Sequence, residues 1–66
     1  MIDARLSIRA WRVEKGLSQS DLASELGVTR KTVAAWEQGK AYPKADKIDG
    51  ICKALGIGYD NINWKV

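Results

Sequence analysis

Arg30 and Lys31 stand side by side at the start of the segment RKTVAAWEQ, and Ala34 and Ala35 follow one helical turn later. On a helix turning about 100° per residue, Arg30, Lys31, Ala34, Ala35 and Gln38 gather within an arc of about 140°. Thr32, Val33, Trp36 and Glu37 fill the other side. Long cationic side chains at a helix start, backed by methyl groups, suit a helix that must approach the floor of a nucleic-acid groove. Arg30 and Lys31 can donate to O6 and N7 of guanine, and the methyl of Ala35, with that of Ala34, can pack on thymine methyls. The competing reading is an ordinary solvated helix face.

A helix of this kind has to be carried outward by what precedes it. In Ser18–Gly39, SQSDLASELGVTRKTVAAWEQG, Ala23, Gly27 and Val33 stand at offsets of four and ten. That is the spacing of a DNA-reading helix-turn-helix. Ala23 is small enough for the second helix to cross closely, Gly27 supplies the left-handed backbone that ends the first one, and Val33 points a branched side chain back inward. Ser18 with Asp21 three residues later forms a capping-box variant, and Thr29 is the expected N-cap of a helix running to Gln38.

Affinity needs phosphate contacts as well as base contacts. Gln19, at the start of the second helix, is expected to hold DNA backbone, because exposed amides at a helix N-terminus attract anions. Thr29, Thr32, Gln38, Lys40, Tyr42 and Lys44 complete the expected phosphate-binding set, with Pro43 stiffening the loop. The alternative leaves Gln19 a polar first-turn residue and the loop lysines merely solvated. Glu37 lies at the edge of the inward arc, where an unpaired carboxylate is costly, so a cationic partner is expected. Arg12 is the candidate, in a bidentate ion pair tying the first helix to the third. The competing role, acceptance from cytosine N4, conflicts with the arc on which Glu37 sits.

Composition narrows the alternatives. The chain has 66 residues, with eleven Lys and Arg against eight Asp and Glu, a net charge of +3. One small domain over residues 1–66 is expected, near the size at which a lone core is only marginally stabilising. Arg30, Lys31, Lys40, Lys44 and Lys47 share a stretch that holds only Glu37 and Asp46 as acids, so one side should be positive. No apolar run could span a bilayer and no signal-like segment opens the chain, which points to a cytoplasmic, disulfide-free protein. With no histidine and Cys52 as the single cysteine, the usual zinc ligands and a base for nucleophilic catalysis are missing. No enzyme, metal, cofactor or small-molecule ligand is therefore expected, and Cys52 reads as a packed thiol.

The remaining pattern is all-α. Ala4, Ile8 and Trp11 give a first helix from about Asp3 to Lys15, closed by Gly16. Leu22, Ala23 and Leu26 stripe the second helix, and Val33 and Trp36 the third, which ends before Gly39. After the loop Lys40–Pro43, a fourth helix of about Lys44–Leu55 carries Ala45, Ile48, Ile51, Cys52 and Leu55, and Gly56 stops it. Gly50 inside it predicts either close backbone packing or a weak point. The tail, GIGYDNINWKV, holds Ile57, Tyr59, Ile62 and Trp64. Since one short reading helix contacts too few base pairs to select a site, a twofold homodimer is expected, with this tail of residues 57–66 as its interface. The alternative folds Ile62 and Trp64 back on the fourth helix.

Taken with Arg12, the stretch KGLSQSDLASELGVTRKTVAAWEQGKAYP and the apolar helix ending in ALGI, the chain resembles the phage lambda-repressor and Cro-like helix-turn-helix family, also called the xenobiotic-response-element type. The resemblance covers about Ile8 to Ile57. It implies a compact four- to five-helix bundle, bases read by Arg30, Lys31 and Ala35, phosphates held by Gln19 and Gln38, and an ion pair of Arg12 with Glu37. It also implies a nucleoid-associated protein of bacterial or phage origin, a repressor acting as a homodimer on a near-palindromic operator in double-stranded DNA. Trp36 departs from the smaller apolar residues also found in relatives. Ala34 beside Ala35 leaves few hydrogen-bonding groups for later bases, so specificity should rest on Arg30 and Lys31. The other class of function the sequence allows is an antitoxin or immunity-type module that binds a protein and regulates its own promoter.

Overall fold

The computed structural model describes residues 5–64. Four α-helices, α1 (Ile8–Glu14), α2 (Gln19–Leu26), α3 (Arg30–Glu37) and α4 (Ala45–Leu55), are followed by a single 3-10 turn at Tyr59–Asn61. The class is all-α, as the spacing of apolar residues requires.

Local chemistry sets most of the boundaries. Ser18 caps α2 by accepting from the Asp21 amide at 2.9 Å, and Asp21 Oδ2 accepts from the Ser18 amide at 2.9 Å. Both exchanges occupy donors that a helix start otherwise leaves open. The bond from the Ser18 amide foremost, and the Ser18 hydroxyl second, hold the Asp21 carboxyl below its ordinary pKa. Gly27 ends α2 at φ 68°, a left-handed conformation that a Cβ would strain. The Thr29 hydroxyl then accepts from the Thr32 amide at 3.2 Å and opens α3.

Ile8, Leu22, Ala23, Leu26, Val33, Trp36, Ile51, Leu55 and Ile62 form one buried cluster to which all four helices contribute. Packing of α2 on α4 is close at Gly50, where an added Cβ would lie 2.8 Å from Leu26 Cδ2. The glycine thus gives up helix propensity for proximity rather than marking a weak point. Lys47 also joins these helices, donating to the Leu26 carbonyl at 3.0 Å, one of the carbonyls left open at the end of α2. That ties back one lysine of the basic stretch.

The first helix corrects the sequence reading. It begins at Ile8, not Asp3, because the Ser7 hydroxyl accepts from the Ala10 amide at 3.1 Å and takes the N-cap. Asp3 and Ala4 lie outside the described residues. Leu6 instead makes an isolated parallel bridge with Ile62, and its carbonyl accepts from the Asn63 amide at 2.8 Å.

The second correction concerns the tail. Ile62 is only 2% exposed and belongs to the core of the single chain, which leaves its side chain little surface to offer a partner. Trp11 Nε1 donates to the Asn61 carbonyl at 2.7 Å, and Trp64 Nε1 to the Tyr59 carbonyl at 3.3 Å, which pins the turn against α1. Ile57 and Trp64 pack half-buried against the same core. Tyr59 alone of the four tail residues stays exposed, at 56%, with its ring stacked on Trp64 at a centroid distance of 5.3 Å.

Candidate nucleic-acid interface

Helix α3 is short, eight residues, and one side of it is buried through Val33 and Trp36. Its other side carries Arg30 and Lys31, both exposed, with Ala34 and Ala35 half-exposed behind them and Gln38 exposed at the end. The two sides follow the arcs that helical geometry dictates. Both alanines stop at Cβ, so between the two cationic side chains and Gln38 that face stays low.

Below this face lies an ion pair. Arg12 Nε donates to Glu37 Oε2 at 2.7 Å and Nη2 to Glu37 Oε1 at 3.3 Å, with side-chain exposures of 11% and 3%. Arg12 Nη1 also donates to the Leu17 carbonyl at 2.7 Å. The planar guanidinium fork thus joins α1, the α1–α2 connection and the end of α3, which fixes α3 relative to the rest of the fold.

Gln19 occupies the first position of α2, between Glu37 and Arg30. Its Nε2 donates to Glu37 Oε1 at 3.0 Å, and its Oε1 accepts from Arg30 Nη1 at 3.2 Å. The sequence reading gave Gln19 a phosphate and missed both contacts. A signal for the first was present, since a carboxylate has about four lone-pair sites and a bidentate arginine uses two.

The threonines at the start of α3 are partly engaged. Thr29 Oγ1 lies 3.0 Å from Thr32 Oγ1 and also accepts from the Thr32 amide. One hydroxyl proton is used between them, so the other remains for an outside acceptor. Beyond α3, Lys40, Tyr42 and Lys44 are exposed, while Pro43 is buried and anchors their loop against the body. Arg30 and Lys31 thus lie on the exposed side of α3, and Lys40 and Lys44 are exposed on the connection that follows it.

Elsewhere the structure offers little chemistry. Among the described residues no group of His, Cys, Asp and Glu could hold a metal ion. Cys52 is half-buried, and burial first, then the nearby Asp49 charge, raises its thiol pKa, which makes it a poor nucleophile. No helix among the described residues is long and apolar enough to cross a membrane.

An exposed short helix with a cationic start, carried on a glycine turn and braced from behind, defines a DNA-binding helix-turn-helix protein. The helix-turn-helix family matches residues 8–62, and the chain belongs to this family of DNA-binding transcription regulators, of the lambda-repressor-like type. A regulator named as an uncharacterized HTH-type transcriptional regulator in Methanothermobacter thermautotrophicus is 44% identical over 52 residues, 79% of this chain and 75% of its own. The cryptic phage CTXphi transcriptional repressor RstR of Vibrio cholerae is 36% identical over 50 residues, 76% of this chain and 45% of its own. Among solved structures, a hypothetical transcription factor, NHTF, from Neisseria is similar with a TM-score of 0.75 and 33% identity. That likeness covers 82% of this chain and 61% of the Neisseria one.

Proposed function

We propose that the chain is a sequence-specific transcriptional repressor that binds a near-palindromic operator as a homodimer, with α3 in the major groove. The observation that carries this reading is the exposed pair Arg30 and Lys31 at the start of α3, followed by the half-exposed Ala34 and Ala35. Arg30 and Lys31 donate to guanine edges, and the two alanines let the helix approach and meet thymine methyls. Gln38, Lys40, Tyr42, Lys44, the free donors of Gln19, and the remaining hydroxyl proton of the Thr29 and Thr32 pair hold phosphates.

Two copies are required because one short helix reads too few base pairs to compete against a genome of non-specific sites. Their reading helices sit about 34 Å apart, one DNA turn. With Ile62 buried, the contact surface left to the tail is Tyr59 with Trp64 and Ile57 beside it. A repressor role is supported by the similarity to a phage transcriptional repressor. The same domain placed beside a promoter, rather than over it, would act with the opposite sign, which a reporter assay reads directly.

Selection of bound duplexes from a random pool tests the reading. The wild type should enrich a two-half-site motif, and Arg30→Ala should lose preference at one base pair of each half-site, at a cost of about 1 to 3 kcal/mol. A pool that stays unenriched after selection would refute sequence-specific binding.

A further inference from the structure

The chain has three tryptophans, and two of them spend their indole N–H inside the fold. Trp11 Nε1 donates to the Asn61 carbonyl at 2.7 Å and Trp64 Nε1 to the Tyr59 carbonyl at 3.3 Å. Trp36 is the most deeply buried of the three, 5% exposed, yet among the described residues nothing accepts from its Nε1. Nor is that nitrogen sealed in, because no enclosed side-chain nitrogen or oxygen among the described residues lacks a partner. The ring therefore lies in the core while its one polar atom reaches the surface. A buried Trp usually finds a hydrogen-bond partner, and a Phe would fill core space without presenting a donor.

The place where that atom emerges follows from helix geometry. Glu37 adjoins Arg30 on one flank of the exposed arc of α3, and Gln19 covers that flank by bonding to both. On the opposite flank Thr32, then Trp36, follow Ala35 around the helix. Helical side chains lean toward the preceding turn, which brings the Trp36 indole alongside Thr32 and Val33. Val33 is fully buried and Thr32 only half-buried, so the opening lies on the Thr32 side. There the Thr29 and Thr32 hydroxyls, 3.0 Å apart, keep one proton for an outside acceptor. A helix about 10 to 12 Å across fills a major groove about 12 Å wide, so each flank comes against one phosphate strand.

We propose that the Trp36 indole N–H donates to a DNA phosphate and, with the spare proton of the Thr29 and Thr32 pair, holds the strand opposite the one beside Gln19. This rests on the reading of α3 as the helix in the groove. A lysine can follow a phosphate on its flexible stem, whereas an indole rooted in the core holds it at one distance. The contact therefore sets how deeply α3 sits, and with that the reach of Arg30 and Lys31 to base edges. Because the donor is neutral, it adds affinity without releasing a further counterion.

The test is a scan of the selected operator in which each phosphate in turn is replaced by a neutral methylphosphonate, read for wild type and Trp36→Phe. Trp36→Phe should bind the unmodified duplex about tenfold more weakly, the scale of one hydrogen bond to a charged group. At one phosphate of each half-site it should lose correspondingly less than wild type on modification, because the donor is already gone. The slope of log affinity against log salt should keep its wild-type value, where loss of a lysine contact would flatten it by about one. A flattened slope, or a loss equal on every modified duplex, would show altered docking rather than a missing donor and overturn the proposal. The indole signals of the wild type give a second measurement that needs no substitution. On saturation with operator, the Trp36 Nε1–H should shift and become protected from exchange with water. If it stays unmoved while the backbone amides of α3 respond, the phosphate contact falls and groove binding stands. If the α3 amides are unmoved as well, both fall.

Discussion

The α2–turn–α3 unit and the tail from Ile57 to Trp64 are both short, and both carry apolar residues among polar ones, yet they are built in different ways. In the first, each boundary is made by a neighbour in sequence: Ser18 and Asp21 cap each other, Gly27 turns the chain, and Thr29 meets Thr32. In the tail, the key contacts come from far away, with Trp11 bonded to the Asn61 carbonyl and Leu6 to the Asn63 amide. Local hydrogen-bonding patterns are recognisable from residue type and spacing. A contact between the two ends of a chain leaves no periodic trace, so an apolar tail can equally serve the core or a partner until the fold decides.

That contrast is open to direct attack. The largest effect is expected at the brace between α1 and α3. Arg12→Ala leaves the Glu37 carboxylate buried with Gln19 as its remaining donor, and should destabilise the fold by about 3 to 5 kcal/mol, towards the lower end because Gln19 persists. A thermal melt within a degree or two of wild type would show that the pair contributes little.

Next in size is the test of the tail. Ile62→Ala empties a core position and should cost about 2 to 4 kcal/mol by denaturant unfolding, with a midpoint shift that persists at low protein concentration. Tyr59→Ser, at an exposed position, should leave that midpoint in place and shift sedimentation at micromolar concentration towards monomer. The reverse pattern, Ile62→Ala altering only association, would restore the interface role that burial denies it.

The smallest effect is expected at the α2 cap. Because the Asp21 pKa is lowered in the folded protein, its contribution is present above the ordinary carboxylate range and is lost as pH falls through the lowered value. Melting temperatures of wild type and Asp21→Asn should therefore differ at neutral pH and converge in acid. A difference that grows on acidification would reverse the sign and remove the capping account.

The candidate site was legible in the sequence to an uneven degree. The exposed face of Arg30, Lys31, Ala34 and Ala35 follows from helical angle alone, once Gly27 and Thr29 bound the helix. The pairing of Arg12 with Glu37 was accessible by asking which cation could satisfy a carboxylate on an inward arc. The contact of Gln19 with Arg30 was not, because two residues that each look free to meet DNA give no sign of meeting one another. Lys47 was misleading for a similar reason: its charge counts in any sum over the basic stretch, while its ammonium is spent on the Leu26 carbonyl.

Sequence by itself determined the helices after the first, the glycine turn and the face that α3 turns outward, because caps, glycine backbone preference and helical period act over a few residues. Only the tertiary structure decided where α1 begins, that Ile62 belongs to the core and that Gln19 links the buried ion pair to Arg30. Each of these depends on a partner many positions away, and such a partner is set by how the helices pack rather than by any residue's own preference.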